Sequence, residues 1–419
     1  MSITLRTYVV TAGAVVSGLL LTSLPSAAAE PAPVRNERVS VSAAGLQGDG
    51  YAEDGRISED GRYVAFSSTS ANLLPAALEY PGRQLYVKDR STSRVELASV
   101  AADGTPGNGP VFDTSLSPGG RYAAFATAST NMGQDAPSGL SIYVRDLAKG
   151  VTELVSTGVE GYGGQTGGIS VSADGRFVAF VADVQPTTPY RPTEHRRVYV
   201  RDRVKKTTTQ VNHQLPQGTW ATSPELSDDG RYVAYRTDRN GTDPGTPGKS
   251  SLFRRDLWTG ALQQVDVTPA GLPSTASALP VRDSLSADGR YLAFTSEGSD
   301  LVAGDTDSTE DVFVRDLRTG RTRLVDISPQ GGATGIPVFS PDGRKLAFAA
   351  PASRNWLLDV ATGRARLLDT GHQGGPDVVP PRLTSLDLHG RRLVMDSSSP
   401  DLVPDDSNRE NDVFVHETD

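Results

Sequence analysis

Two loops concentrate side-chain oxygens. One reads Asp305-Thr306-Asp307-Ser308-Thr309-Glu310-Asp311, the other Asp406-Ser407-Asn408-Arg409-Glu410-Asn411-Asp412. In each, an Asp is followed two residues later by Asp or Asn and four further on by Asp, just ahead of Val-Phe-Val. Asp305, Asp307 and Asp311, and likewise Asp406, Asn408 and Asp412, are hard oxygen donors of the kind Ca²⁺ takes. Asp and Asn also serve turns by bonding their own backbone, and neither loop carries the full twelve-residue calcium pattern. Both readings stay open. Other chemistry is sparse. The histidines His195, His213, His372, His389 and His416 are scattered without metal-ligand spacing. There is no Gly-x-Ser-x-Gly elbow and no Gly-Lys-Ser/Thr phosphate loop. No cysteine is present, so thiol and disulfide chemistry are excluded. Tyr162, His213, Trp220 and His372 fall in connections between repeats, where they suit a ligand face or plain loop anchors.

The elements that must position these groups are repetitive. A Gly-Arg step recurs seven times, at Gly61, Gly120, Gly175, Gly230, Gly289, Gly343 and Gly390. Such periodicity marks a repeat architecture. Asp-Gly between apolar runs is a hairpin signal, because Gly accepts positive φ. Each step opens a strand such as Tyr63-Val64-Ala65-Phe66 or Tyr291-Leu292-Ala293-Phe294. Side chains alternate along a strand, so Val64 and Phe66 face one way and Tyr63 and Ala65 the other. Strands apolar on both faces need cover on both, which a radial stack of sheets supplies. A third strand, as at Val312-Phe313-Val314, ends in Asp316, and a Thr-Gly turn leads to a fourth. The Gly-Arg and Asp positions recur in every unit and read as structural, since an active site needs a unique constellation.

Residues 1–29 read as a secretory signal peptide, with Arg6, an apolar stretch and Ala27-Ala28-Ala29 at a cleavage site. The apolar run is too short for a membrane anchor, so no stable membrane insertion is expected. Residues 30–36 read as a linker and residues 37–419 as the repeat domain. The formal charge of −9 argues against nucleic acid, which needs a basic footprint. Glu37 to Gly45 matches the fourth strand and following loop of the other units, while the seventh unit stops at Asp419 without one. Pairing Arg38–Ser42 with Val413–His416 would complete the last sheet and remove its free edge.

The run Ser-x-Asp-Gly-Arg-Tyr-Val-Ala-Phe, followed by Tyr/Phe-Val-Arg-Asp-Leu, resembles the WD-repeat-like β-propeller units of TolB-type exported bacterial proteins. The resemblance covers nearly all of residues 37–419. It implies an all-β fold, here a seven-bladed β-propeller of four-stranded blades, and a secreted or cell-envelope location. TolB proteins typically add an N-terminal α/β domain, and prolyl-peptidase relatives a hydrolase; neither is expected here. The resemblance implies no single activity, since one fold hosts many functions. The long connections lie on one face and the short turns on the other, and variable loops on a rigid scaffold carry function. The expected function is therefore non-catalytic: binding of a protein, peptide or envelope glycan on the long-loop face. The alternative is a carbohydrate hydrolase or lyase, which would need paired carboxylates about 5–10 Å apart at the axis.

Overall fold

A computed structural model describes residues 36–418 apart from 77, 81, 134–138, 160–161, 185–195, 214–218, 240–247, 307–308, 326, 328–334, 352–353, 369–370, 372–378 and 380. The leader and linker expectations for residues 1–35 lie outside the described residues. Among those described, every regular element is a β-strand, and no helix is long and apolar enough to cross a membrane.

The strands form antiparallel four-stranded sheets in chain order. The first sheet runs Ala52–Ile57, Tyr63–Ser68, Gln84–Asp89 and Arg94–Leu97. The later units repeat it, and the fifth and sixth sheets are joined by one parallel pairing, Arg282 with Val338. The last sheet holds Arg382–Leu386, Arg392–Ser397 and Asp412–Glu417. Its fourth strand is Asn36–Arg38, with Asn36 opposite His416 and Arg38 opposite Phe414. The pairing thus starts two residues earlier than the sequence suggested. Val39 N–H still donates to Val413 O at 2.9 Å, and the chain then turns, with Val41 bridging Gln47.

The core lies between sheets. Ala65, Leu85 and Val87 of the first sheet pack on Val111, Ala123 and Phe125 of the second. Val64, Phe66 and Tyr86 turn the opposite way, onto Val394, Val413 and Val415 of the last. Alternation along one strand therefore feeds two interfaces, and each large buried side chain contributes about 1.5–3 kcal/mol. Cross-strand aromatic pairs such as Phe66–Tyr86, with centroids 5.9 Å apart, repeat in the first five sheets.

The repeated polar residues lock turns. Arg62 holds Asp89 through two hydrogen bonds, at 3.0 and 2.7 Å. The same pairing joins Arg121 to Asp146, Arg176 to Asp202, Arg231 to Asp256 and Arg290 to Asp316. In the last two sheets the next residue takes over, Lys345 to Asp359 and Arg392 to Glu417. The turn glycine has a second duty beside its positive φ. A Cβ on Gly175 would sit 2.4 Å from the Tyr122 ring of the preceding unit. Glycine therefore sets the spacing between sheets as well as the turn.

Candidate axial site

The innermost strand of each unit is its first, and it is the least regular. Its pairing with the second strand slips between Glu53 and Arg56, Val111 and Asp113, Gln165 and Ile169, Thr222 and Glu225, Pro280 and Leu285, and Leu383 and Ser385. Such bulges re-aim side chains. Asp54, Ser223 and Asp283 adopt φ of 59°, 52° and 51°, a conformation costly for a residue with a Cβ. Strain of this kind persists where the surroundings over-determine it. Asp54 N–H donates to Asp396 at 2.8 Å, and its carboxylate meets Arg83 and Arg382. Burial works against that charge, but Arg382, with Arg83 and Arg56, holds the Asp54 carboxyl below its usual range.

The bulged strands enclose a cavity of about 360 Å³. Its wall includes Arg56, Asp113, Glu225, Arg282 and Asp283, with Glu59 and Asp228 from the turns. Arg56 reaches from the first sheet to Asp283 of the fifth at 2.9 Å and to Thr384 O of the last at 3.2 Å. Glu225 accepts from Ser284 Oγ and Leu285 N–H, each at 2.8 Å. Burial, aided by the charge of Asp283, pushes its carboxyl up to about 7. Asp113 accepts from Gly168 N–H at 2.6 Å and Thr114 N–H at 2.9 Å, and burial raises it. Glu59 and Asp228 come close to each other between sheets that share no strand pairing; burial and the Glu59 charge push Asp228 up to about 8. Burial penalises the charged form, and a like charge beside it adds to the effect.

The turns at this end are stitched to one another. Glu59 N–H donates to Pro118 O, Asp228 N–H to Ala287 O, Ala287 N–H to Pro341 O, Asp342 N–H to Leu388 O, and Leu388 N–H to Glu59 O. Ala173 N–H donates to Asp228 O, while Pro118 has no N–H with which to continue toward Ala173. The cavity thus sits on the side of the Asp-Gly-Arg turns.

Of the residues singled out in the sequence, none of those described lines this cavity. Trp220 is the second residue of the inner strand of the fourth sheet, opposite Asp238, and is half-buried. Tyr162 begins that of the third, opposite Val184. His213 is exposed, with Nδ1 2.9 Å from Gln210 O. His372 and Asp307 lie outside the described residues. Asp305 is a loop residue, and Asp311 is a buried strand residue paired with Ser296.

The second Asp loop is drawn onto the N-terminal segment. Arg38 stands 3.5 Å from Asp412 and 3.8 Å from Asp406. Gln47 Nε2 donates to Asp406 at 2.8 Å and to Asp412 at 2.9 Å, and Asn408 Nδ2 donates to Gly48 O at 2.8 Å. As arranged, these carboxylates face a guanidinium and an amide. Among the described residues no group of three or more His, Asp or Glu side chains could hold a metal ion.

The sequence reading missed Arg56, Asp113, Glu225, Arg282 and Asp283. A signal existed. Two residues before the Ser of Ser-x-Asp-Gly, the units carry Ser115, Ser170 and Ser284, whereas the first has Arg56 and the fourth Glu225. Departures from a repeat mark unique chemistry where the repeated residues mark scaffold.

No family model matches the chain, and no curated protein matches its sequence. Solved structures match in fold. An oligogalacturonate lyase in complex with manganese does so with a TM-score of 0.59 at 12% identity, over 93% of this chain and 97% of that one. The β-propeller domain of the trilobed protease from Pyrococcus furiosus does so with a TM-score of 0.55 at 12% identity, over 88% and 94%. The fold is a β-propeller. A TolB from Acinetobacter baumannii also matches, at 16% identity over 78% of this chain and 80% of that one, with a TM-score of 0.39. The propeller assignment rests on the other two.

Proposed function

We propose that the seven units are seven blades of a ring closed by Asn36–Arg38 on the last blade, and that this exported propeller is a non-catalytic binding protein. Its ligand is a protein, peptide or glycan segment whose polar end enters the axial cavity. The closure rests on the Asn36–His416 register and on the shared core of first and last sheets. Export rests on the leader-like residues 1–29. The observation that carries the binding reading is the convergence of unrepeated charged residues in a single cavity between the inner strands. Their chemistry favours holding over reacting. Asp283 is committed to Arg56, Asp113 to two backbone N–H groups and Glu225 to Ser284 and Leu285. Among the described residues lining the cavity there is no aromatic, His or Lys.

One observation favours a second reading. A Glu225 carboxyl that titrates near 7 is poised for general acid–base work. With an oligogalacturonate lyase among the structures of the same fold, a carbohydrate hydrolase or lyase is the reading to test against binding. Both are separated by probing the purified chain on peptide and glycan arrays, then incubating every hit and assaying for cleavage. The binding reading predicts capture without product, lost in Arg56→Gln. Product formation that disappears in Glu225→Gln would overturn it in favour of the enzyme. Capture unaffected by Arg56→Gln would remove the ligand from the cavity.

A further inference from the structure

Among the described residues of the axial cavity, the side chains of Asp113, Glu225, Asp283 and Arg56 have partners and that of Arg282 does not. Arg56 is held by Asp283 and Thr384 O. Asp113 is held by Gly168 and Thr114, Glu225 by Ser284 and Leu285, and Glu59 and Asp228 lie close together. Arg282 also lines the wall, half-buried in the inner strand of the fifth sheet. Its backbone N–H donates to Pro337 O at 2.9 Å. Among the described residues its guanidinium makes no hydrogen bond and no ion pair. It feels Asp283 and Asp54, but burial and the nearby charges of Arg56 and Arg382 outweigh them and push its pKa down.

A guanidinium held in a partly desolvated wall beside two other arginines is under-compensated. It carries N–H donors in a planar fork that matches a carboxylate through two parallel hydrogen bonds. Charges taken from water without a partner are costly, so an arriving anion gains what the protein leaves unmade. The adjoining acids set the limit on that anion. Asp283 stays on Arg56, and Glu225 is near half-protonated at neutral pH, which lets it donate to a ligand oxygen. Asp113 and the Glu59–Asp228 pair repel a second negative charge placed deeper. The wall therefore suits a single carboxylate flanked by neutral hydroxyl or amide groups, not a phosphate or polyanion.

We propose that Arg282 is the receptor for one carboxylate of the ligand, with Glu225 contacting a neutral polar group beside it. This rests on the binding reading above. A carboxylate of this kind comes from a peptide C-terminus or from an acidic sugar, and the probes separate them.

The test titrates the full-length secreted chain calorimetrically with four probes. These are trialanine with a free C-terminus, trialanine amide, the methyl glycoside of galacturonic acid and the corresponding neutral methyl galactoside. The expected result is binding of one free-acid probe at least about ten-fold tighter than its neutral counterpart, since a site built for a polar group rejects the analogue lacking it. Arg282→Gln should abolish that preference, and Arg282→Lys should restore part of it. The melting temperature of Arg282→Gln without probe should be unchanged or higher, because an unpaired charge is removed; this separates loss of binding from loss of fold. Equal binding of acid and neutral probes in the wild type overturns the carboxylate assignment while leaving the binding reading intact. A preference retained in Arg282→Gln overturns the role of Arg282. Binding of none of the four overturns the carboxylate proposal, and if the arrays above also show no capture, the binding reading falls with it.

Discussion

The acids of the axial cavity store their influence as pH dependence. Glu225 titrates near 7 instead of 4.5, and Asp228 near 8 instead of 3.8. A group with a raised folded-state pKa contributes stability that is fully present below its unfolded value and lost as pH rises through its folded one. Melting temperature should therefore fall as pH rises from about 4 to about 8, with Glu225→Gln reducing the fall up to about pH 7 and Asp228→Asn reducing it over the whole span. A curve that both variants leave unchanged would mean that neither acid is protonated in the native cavity. His416 acts at the other end. Burial, with the charge of Arg366, lowers it from 6.5 to about 4. Its contribution is present above 6.5 and is lost as pH falls toward 4. His416 Nδ1 lies 2.8 Å from Asn36, so the acid-side loss should be felt where the N-terminal strand joins the last sheet. His416→Gln should blunt it in melts taken from about pH 7 down to about pH 4. None of these shifts was legible in the sequence, because each depends on a neighbour from another unit.

The strands divide into legible and illegible elements for a physical reason. The second and third strands of each unit are apolar and packed on both faces, as in Tyr63–Ser68 and Gln84–Asp89, and their sequences say so. The first strands are polar, bulged and carry residues in the left-handed region, as in Ala52–Ile57 and Ala278–Leu285. They have no clean alternation, because one side faces a polar cavity. The candidate site was hidden in the elements with the weakest pattern. Spacing between the elements is testable at the turn glycines. Gly175→Ala places a Cβ against the Tyr122 ring and in a backbone conformation with φ 68°. The left-handed cost alone is about 1–2 kcal/mol. Denaturant unfolding should show at least that loss, whereas Gly363→Ala, with no atom within 4 Å of the added Cβ, should show the backbone cost alone. Equal losses would mean that the second sheet yields easily to the third.

At the scale of the molecule, the ring reading depends on how its ends meet. Arg38 and Gln47 bind the loop at Asp406–Asp412, Ser40 meets Asp412, and Arg90 joins Glu37 to Glu417. Arg38→Ala leaves the buried Asp412 without its cation, and such a loss is strongly destabilising, on the order of 3 kcal/mol. Thermal melts should show this drop equally with and without a chelator, since the arginine supplies the positive charge. A chelator that lowers the wild-type melting temperature would restore a metal to the Asp loops. The pairing of the N-terminal strand with the last sheet could be anticipated from the strand arithmetic of the repeats; its register could not, because Asn36 and Glu37 carry no apolar signal.

The central claim is that ligand enters the axial cavity and does not rest on the long-loop face. It is tested most directly by titrating the captured ligand against two variants of the full chain, Arg56→Gln in the cavity and the double variant His213→Ala with Trp220→Ala outside it. The account predicts that Arg56→Gln weakens binding at least about ten-fold, a full factor of ten being 1.4 kcal/mol, while the double variant binds as the wild type does. Binding that survives Arg56→Gln and is lost in the double variant would contradict it.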